Sequence, residues 1–246
     1  MALLAMVLAF STPAAAQRTQ AEGLTNVDIQ RVNGRDRYQR VRFSDGSPGE
    51  QFRLKSGDCP RSNEDCQSDR ERIEFFEKNP AQPVGSDVWL ASSVMMAPET
   101  PARRATNLVL GQFHQRADSG PALMFQALDG RYGLKMTDHY RLDDDPMNPI
   151  PDFRNVDFIR LGDMRGRWTP VMVNARWSRG DHGLIRVWIN GRQAWSYDGP
   201  TVNANEPVYF KYGIYRSSVS RCGGPCPELV AYYRDVKRGR SRAEVE

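Results

Sequence analysis

The chain has 246 residues, of which 39% are hydrophobic and 26% are charged. These are the proportions of an ordinary globular protein, and they exclude a wholly disordered chain, a collagen-like repeat and a coiled coil. The net charge is only +4, yet just five of the 34 basic residues are lysine. Arginine grips carboxylates, sulfates and phosphates through two hydrogen bonds, although a coding bias toward arginine explains the excess equally well.

The first residues predict an export signal. Met1–Phe10 is an apolar run too short to cross a membrane, and Ala14–Ala16 offers a cleavage site. We expect a signal peptide over residues 1–16 and one mature domain over residues 17–246, located in the periplasm or outside the cell. No other apolar stretch approaches the roughly 18 residues that a membrane helix needs, so we expect no membrane span.

Four cysteines fit an oxidising compartment. Cys59 and Cys66 bracket a polar loop, and Cys222 and Cys226 bracket a tight CGGPC turn. Four cysteines allow three pairings, and we favour the two local disulfides because each pair closes a loop in a chain expected to be exported. A zinc site is the alternative, but these spacings are not typical of zinc ribbons.

The hydrophobic pattern predicts short strands along most of the chain. They are rich in β-branched and aromatic residues: Asp87–Met96, Asn107–Gln115, Leu123–Leu128, Tyr132–Met136, Leu184–Ile189, Gln193–Tyr197, Val208–Tyr215 and Leu229–Val236. Asp129-Gly130 and Asn190-Gly191 each stand between two strands, as in a type I′ hairpin turn. This pattern predicts a single all-β domain, a β-sandwich or jelly roll of two antiparallel sheets.

Two segments are less regular. Asp69–Phe76 fits a short helix or a strand equally well. Tyr140–Asn155 contains three prolines and predicts a long loop. Within it, Asp143–Asp145 could ligate a structural calcium ion through carboxylate oxygens, although a solvated loop has the same composition.

Three segments carry ionisable side chains where a core strand would be apolar. Residues two apart share one face of a strand, which places Gln112 and His114 on one face with Leu108 and Leu110. In the second segment one face carries Arg70, Arg72 and Glu74, and the other face carries Ile73 and Phe75. In the third segment one face carries Tyr209, Lys211 and Tyr215, and the other carries Phe210, Tyr212 and Ile214. Exposure to water would explain any one of these faces, but together the side chains can bind an anion and move a proton.

The same three segments resemble signature regions of the β-jelly-roll polysaccharide lyases. Alginate lyases of polysaccharide lyase family 7 carry R-x-E, Q-x-H and Y-F-K-x-G-x-Y blocks, matched here in order by residues 72–74, 112–114 and 209–215. Over most of the mature chain, the sequence is more similar to the heparin-lyase-like and glucuronan-lyase (family 20) group. One departure from alginate lyases is Phe76, at a position where those enzymes often carry a basic residue.

The resemblance implies a concanavalin-like jelly roll whose concave sheet cleaves a uronic-acid polymer by β-elimination. Such a reaction needs a base for the C5 proton and an acid for the C4 oxygen, and the matching residues are Tyr215 and His114. In glucuronate and mannuronate these two atoms lie on one side of the ring, so Tyr215 alone could serve twice if its pKa falls below about 10. Arg72 and Gln112 would neutralise the substrate carboxylate.

Further residues are expected to bind substrate or support the site: Lys211, Glu74, Tyr209, Arg70 and His182. Lys211 could lower the pKa of the tyrosine, Glu74 is expected to orient Arg72, and His182 lies in a GDHG loop where histidines are common. A glycoside hydrolase would need paired carboxylates, and this face offers only Glu74.

The sequence therefore predicts an exported, endo-acting lyase for β-1,4-glucuronan. An alginate or heparin-type lyase and a noncatalytic carbohydrate-binding jelly roll are the alternatives. We expect an acidic polysaccharide as partner, no nucleic acid, no required cofactor and a monomeric protein.

Overall fold

The computed structural model describes residues 19–30, 32, 34, 36–60, 65–78, 84–101, 106–115, 120–138 and 152–246. Within these ranges the chain forms two antiparallel seven-stranded sheets, joined by loops and four short 3₁₀ turns. The expected signal peptide and Asp143–Asp145 lie outside the described residues. No helix in the described part of the chain is long and apolar enough to span a membrane.

The two sheets face each other, and we number their strands along the chain. The first sheet contains, in spatial order, β1 (Val27–Gln30), β4 (Arg70–Glu77), β13 (Tyr209–Ser217), β6 (Asn107–His114), β7 (Pro121–Leu128), β8 (Arg131–Asp138) and β9 (Asp152–Arg160). The second contains β12 (Arg192–Asp198), β11 (Leu184–Ile189), β10 (Thr169–Arg176), β5 (Asp87–Met96), β14 (Leu229–Gly239), β3 (Pro48–Leu54) and β2 (Tyr38–Arg42). The predicted antiparallel sandwich is confirmed, and the three motif strands β4, β13 and β6 are neighbours.

Local predictions are mostly confirmed. Both hairpin turns have positive φ at their two central residues, 49° and 78° at Asp129-Gly130 and 53° and 76° at Asn190-Gly191, as a type I′ turn requires. The ambiguous segment Asp69–Phe76 forms strand β4 from Arg70 onward. The long-loop prediction is wrong at its end, because β9 already begins at Asp152.

Both predicted disulfides are present. Cys59 pairs with Cys66 and Cys222 pairs with Cys226, each with Cα atoms 5.4 Å apart. Because all four thiols are used, the zinc alternative is wrong. The first disulfide precedes β4 and the second follows β13, so both lie at one end of the pair of strands that carries two of the motifs.

The core lies between the sheets and is aromatic at its centre. Tyr38, Phe52 and Tyr233 from the second sheet meet Phe75 and Tyr212 from the first, with neighbouring ring centroids 4.8–5.7 Å apart. Such edge and tilted contacts are favourable beyond the area they bury. Phe75 and Tyr212 occupy the faces that alternation assigns to the core.

Strand β6 departs from simple alternation. Leu108 and Leu110 belong to the buried core, so their predicted place beside Gln112 is wrong. The cause is a β-bulge between Val109 and Gly111, where β6 has one residue more than its partner β7. An extra residue reverses the order of inward and outward side chains, which lets Leu110 point inward while Gln112 points outward.

The bulge is supported from the opposite sheet. The Tyr233 hydroxyl lies 2.6 Å from the Leu110 carbonyl oxygen and 2.7 Å from the Gly213 carbonyl oxygen, so its single hydrogen faces two carbonyl acceptors, one in each of the two adjacent strands. Gly213 has a φ of 134°, and a Cβ there would stand 2.3 Å from the Ile73 carbonyl oxygen. Only glycine fits this close approach of two strands.

Substituting Gly213→Ala should therefore destabilise the fold by about 3 kcal/mol or more, through backbone strain and steric overlap with β4. The free energy of unfolding, measured by urea denaturation, checks this. Gly180→Ala is the matched control, because nothing lies within 4 Å of a Cβ at that position and its φ is ordinary. Equal losses in the two variants would contradict the close-approach argument.

Candidate active site

The outward face of the first sheet, which we call the site face, collects the predicted residues from three adjacent strands. Gln112 of β6 stands opposite Lys211 of β13, and Tyr215 of β13 stands opposite Arg72 of β4. His114 lies further along β6, opposite Tyr209. Paired residues of neighbouring strands point to the same side, so the register alone brings these side chains to one surface.

A buried carboxylate joins the three strands. Glu74 has no exposed surface, and its carboxylate accepts from Gln112 Nε2 at 2.7 Å, Lys211 Nζ at 2.9 Å and Arg72 Nη1 at 3.3 Å. Gln112 and Lys211 are themselves only 3% and 5% exposed. Glu74 could touch a polymer only if these partners moved aside, so it acts on its neighbours rather than on a ligand.

The electrostatics of this cluster favour the ionised forms of Glu74 and Arg72. Burial alone would raise the pKa of Glu74, but the charges of Lys211 and Arg72 outweigh it and hold that pKa below its usual value. Burial and the nearby Arg72 lower the pKa of Lys211, while Glu74 counteracts them. For Arg72, burial is outweighed by Glu74 and Asp65, which raise the pKa of the guanidinium. The cluster is therefore a buried arrangement of paired charges.

Arg72 also contacts Tyr215, one of the two residues predicted to transfer protons. Its guanidinium carbon lies 4.3 Å from the centroid of the Tyr215 ring, within the range of a cation–π contact. Burial raises the pKa of Tyr215, and the positive charges of Arg70 and Arg72 only partly offset this. The condition under which Tyr215 alone would serve as base and acid is therefore not met in the free protein: the phenol keeps its proton at neutral pH and is suited to act as an acid.

His114, in contrast to Tyr215, is suited to accept a proton. Its Nδ1 is hydrogen-bonded to the Gln115 carbonyl oxygen, and its ring stacks on Tyr209 with centroids 5.5 Å apart. A carbonyl can only accept, so Nδ1 carries the hydrogen and Nε2 is left with a lone pair. Burial lowers the pKa of His114, so the ring is neutral at pH 7 and can accept a proton.

The remaining predicted residues divide between the two sheets. Arg70 is exposed at the edge of the site face, opposite Ser217. His182 is exposed in the turn between β10 and β11 of the second sheet, outside the cluster. Within the described ranges, no group of three histidine, cysteine or acidic residues could hold a metal ion.

One row of paired residues crosses the whole site face. It contains Asp28, Phe76, Lys211, Gln112, Met124, Lys135 and Asn155, one from each strand of the first sheet. We call this the central row. Phe76 therefore lies directly beside Lys211, and Lys135 lies two strands beyond Gln112.

Sequence reasoning missed three residues of this region. Asp65 is buried and binds Arg72, and Gln115 uses its amide to donate to the carbonyl oxygens of Ala204 and Glu206 at 2.8 and 2.7 Å. Lys135 is partly buried, which lowers its pKa. Lys135 alone had a local signal, as the single cation between Leu134 and Met136 in an alternating strand.

Comparisons with known proteins agree with this architecture. A family model described as polysaccharide lyase matches residues 13–237. The crystal structure of an endo-β-1,4-glucuronan lyase from the fungus Trichoderma reesei superposes with a TM-score of 0.63 at 16% identity, covering 87% of this chain and 92% of that chain. No curated protein matches significantly by sequence.

Two alginate lyases also superpose. A product complex of the family 7 alginate lyase A1-II′ gives a TM-score of 0.56 at 16% identity, covering 82% of this chain and 83% of that chain. The alginate lyase from Klebsiella pneumoniae gives 0.54 at 11% identity, with coverages of 83% and 85%. At these identities the solved structures show a shared fold, which confirms the predicted jelly roll.

The Glu74 cluster yields a pH-dependent prediction. A carboxylate whose pKa is lowered by folding stabilises the protein above its unfolded pKa, and this stabilisation is lost as the pH falls through the lower folded value. Glu74→Gln should lower the free energy of unfolding by about 3–5 kcal/mol at pH 7, because the substitution leaves buried cations without their anion. This difference from the wild type should shrink below the ordinary glutamate value of 4.5.

Urea denaturation of both proteins between pH 7 and pH 3 measures this difference. Glu228→Gln is the matched control, since Glu228 is exposed and pairs with Arg53 and Lys55 at the surface. Its cost should stay below about 1 kcal/mol. A Glu74→Gln cost that is equally small, or that does not change with pH, would show that the cluster is not ionised.

Proposed function

The chain belongs to the polysaccharide lyase family, and from this premise we propose that its site face cleaves a uronic-acid polymer by β-elimination. The observation that carries the proposal is that one face of the sheet presents both a neutral His114, whose Nε2 keeps its lone pair, and a protonated Tyr215 in contact with Arg72. One group can take a proton while the other gives one, which is what the elimination requires.

In the proposed reaction, His114 Nε2 removes the C5 proton of the uronate. The electron pair of the C5–H bond forms the C4=C5 double bond, the C4–O bond breaks, and Tyr215 donates its hydroxyl proton to the departing oxygen. Solvent returns the proton to Tyr215 and takes the one on His114. For glucuronate, both transfers occur on one side of the ring, so base and acid on a single sheet face suit this substrate.

Removal of the C5 proton also requires that the adjacent carboxylate be neutralised. Arg72 and Gln112 are the proposed donors to the substrate carboxylate. One Gln112 amide hydrogen is engaged by Glu74, and the amide nitrogen carries a second one. Donors fixed before the substrate arrives stabilise the developing charge without reorganising. The buried Lys211 adds positive charge beside Gln112, while Glu74 accepts hydrogen bonds from Arg72, Gln112 and Lys211 and so holds them in place.

We propose β-1,4-glucuronan as the polymer, cleaved internally. The support is the extended sequence resemblance to the glucuronan-lyase group, the higher TM-score of the glucuronan lyase than of the two alginate lyases named above, and Phe76. An aromatic ring next to Lys211 on the central row offers a sugar an apolar surface in place of a cation. An alginate or heparin-type lyase is the alternative.

Export is part of the proposal. Residues 1–16 read as a signal peptide, and the two disulfides are typical of oxidising compartments. The N-terminal sequence of protein recovered outside the cytoplasm should begin at Gln17. Recovery of the intact chain in the cytoplasm alone would contradict export.

A panel of polymers tests the substrate. Glucuronan should give a product with an unsaturated, ultraviolet-absorbing end and an early, broad distribution of oligosaccharide lengths, as internal cleavage requires. Polymannuronate, polyguluronate and heparin-type chains serve as comparisons. If unsaturated product is released faster from one of them, that polymer replaces glucuronan as the proposed substrate. A saturated reducing end would indicate a hydrolase, and binding without product would indicate a lectin.

The proton transfers predict the behaviour of two variants. Tyr215→Phe should still bind polymer but lose about 10²–10⁴-fold in kcat, because only the hydroxyl is removed. The kcat of His114→Ala should fall by a similar factor. The wild-type kcat/KM should have an acidic limb with an apparent pKa below 6.5, where His114 becomes protonated, and an alkaline limb above 10, where Tyr215 ionises.

Matched controls are Tyr232→Phe and His182→Ala, which alter the same residue types on the second sheet. Both should keep wild-type kcat. If the residual activity of His114→Ala retains the acidic limb, Tyr215 moves both protons by itself. If Tyr215→Phe releases unsaturated product at a near wild-type rate, the proposed mechanism is wrong even though the family assignment stands.

A further inference from the structure

Arg72 is held by a loop that the proposed mechanism does not use. Asp65 receives two hydrogen bonds from the Arg72 guanidinium, one from Nε and one from Nη2 to Oδ1 at 2.7 Å. Asp65 is 3% exposed, so water does not screen this pair strongly. The pairing through Nε and Nη2 fixes the plane of the guanidinium and leaves its Nη1 side toward Glu74.

The loop itself is closed by a disulfide. Asp65 directly precedes Cys66, which is bonded to Cys59. On the other side of the disulfide, the Asp58 carbonyl oxygen accepts from the Arg72 backbone nitrogen at 3.0 Å. The two ends of the loop thus hold the backbone and the side chain of the same arginine.

The Asp58 end is anchored in turn. Its carboxylate accepts from the Lys55 backbone nitrogen at 2.7 Å and from Arg37 Nε at 2.5 Å. A free arginine side chain loses rotamer entropy when it is fixed in one conformation. In this protein the side-chain entropy of Arg72 is lost on folding, before any ligand binds.

We propose that Asp65, held by the Cys59–Cys66 disulfide, is a positioning residue for Arg72 in the lyase reaction. It aims the guanidinium at the substrate carboxylate and, through the cation–π contact, sets the face of the Tyr215 ring. This inference rests on the proposed role of Arg72. Reduction of the disulfide should then weaken catalysis without unfolding the sandwich, because none of the described residues of the loop belongs to the hydrophobic core cluster.

Asp65→Asn is the test variant and Asp87→Asn is its matched control. Asp87 holds Arg176 through the same two guanidinium nitrogens, at 2.8 and 3.0 Å, but on the second sheet. Asp65→Asn should lower kcat/KM about 10–100-fold, with most of the loss in kcat, because a misaligned group of this kind costs up to about 10². Asp87→Asn should stay within about twofold of the wild type, the scatter expected of a neutral surface change.

A double-mutant cycle separates positioning from a general structural effect. In an Arg72→Ala background, Asp65→Asn should have no further effect on kcat/KM. If it lowers the residual activity by the same factor as in the wild type, Asp65 does not act through Arg72 and the inference is overturned. If Arg72→Ala itself keeps wild-type activity, the proposed role of Arg72 fails, which is a different result.

The disulfide is tested in a protein that retains only one. Cys222→Ser with Cys226→Ser should keep wild-type kcat/KM and leave Cys59–Cys66 as the single target for a reductant. Adding dithiothreitol to this variant should lower kcat/KM about as much as Asp65→Asn does, and reoxidation should restore it. No loss on complete reduction, confirmed by thiol labelling, would overturn the disulfide's part.

A readout independent of turnover covers the case in which Asp65→Asn is too unstable to assay or no polymer is cleaved. The Arg72 Nε–H resonance, identified by its absence in Arg72→Ala, should exchange slowly with water in the wild type and in Asp87→Asn. It should exchange faster in Asp65→Asn and in the reduced single-disulfide protein. Fast exchange in the wild type would show that Asp65 does not hold the guanidinium.

Discussion

The buried carboxylate of Glu74 is the constraint on which the site depends. An ion without exposed surface is tolerated only when donors surround it, since an unpaired buried charge costs several kcal/mol. In this sheet the donors are Arg72, Lys211 and Gln112, one from each of three neighbouring strands. If the proposed function holds, folding and the binding of an acidic sugar would select the same side chains, and these groups would be in place before a substrate arrives.

The bulge in β6 decides which side of the sheet those groups occupy. Without the extra residue, Leu110 and Gln112 would share a face, and either the core would receive an amide or the site would receive a leucine. Tyr233 contributes from the far sheet, because its hydroxyl lies within hydrogen-bond distance of the carbonyl oxygens of Leu110 and Gly213. The side of the sheet that the site residues occupy thus depends on a backbone bulge that a side chain of the opposite sheet contacts through the core.

These contacts explain what could be predicted from the sequence. Alternation assigned the two faces of β4 and β13 correctly, because those strands pair with each other in regular register, although it left open whether the β4 segment is a helix or a strand. It misplaced Leu110, since a bulge leaves no mark in a short apolar run. Strand β3 was missed because its proline, glycine and Glu50 read as loop residues, whereas Glu50 is buried and accepts from the hydroxyls of Tyr38 and Tyr212. Asp65 lies in a polar segment without any periodicity, and only folding brings it to Arg72.

The central row places one side chain from each strand at a regular spacing across the site face. Neighbouring strands of a sheet lie about 4.8 Å apart, a spacing close to the length of one sugar ring. If the proposed function holds, a linear polysaccharide lying across the strands would pass over a new strand with about every sugar. The partly exposed side chains of Phe76, Met124 and Lys135 would then meet different sugars, whereas Lys211 and Gln112 lie buried between Phe76 and Met124 on the same row.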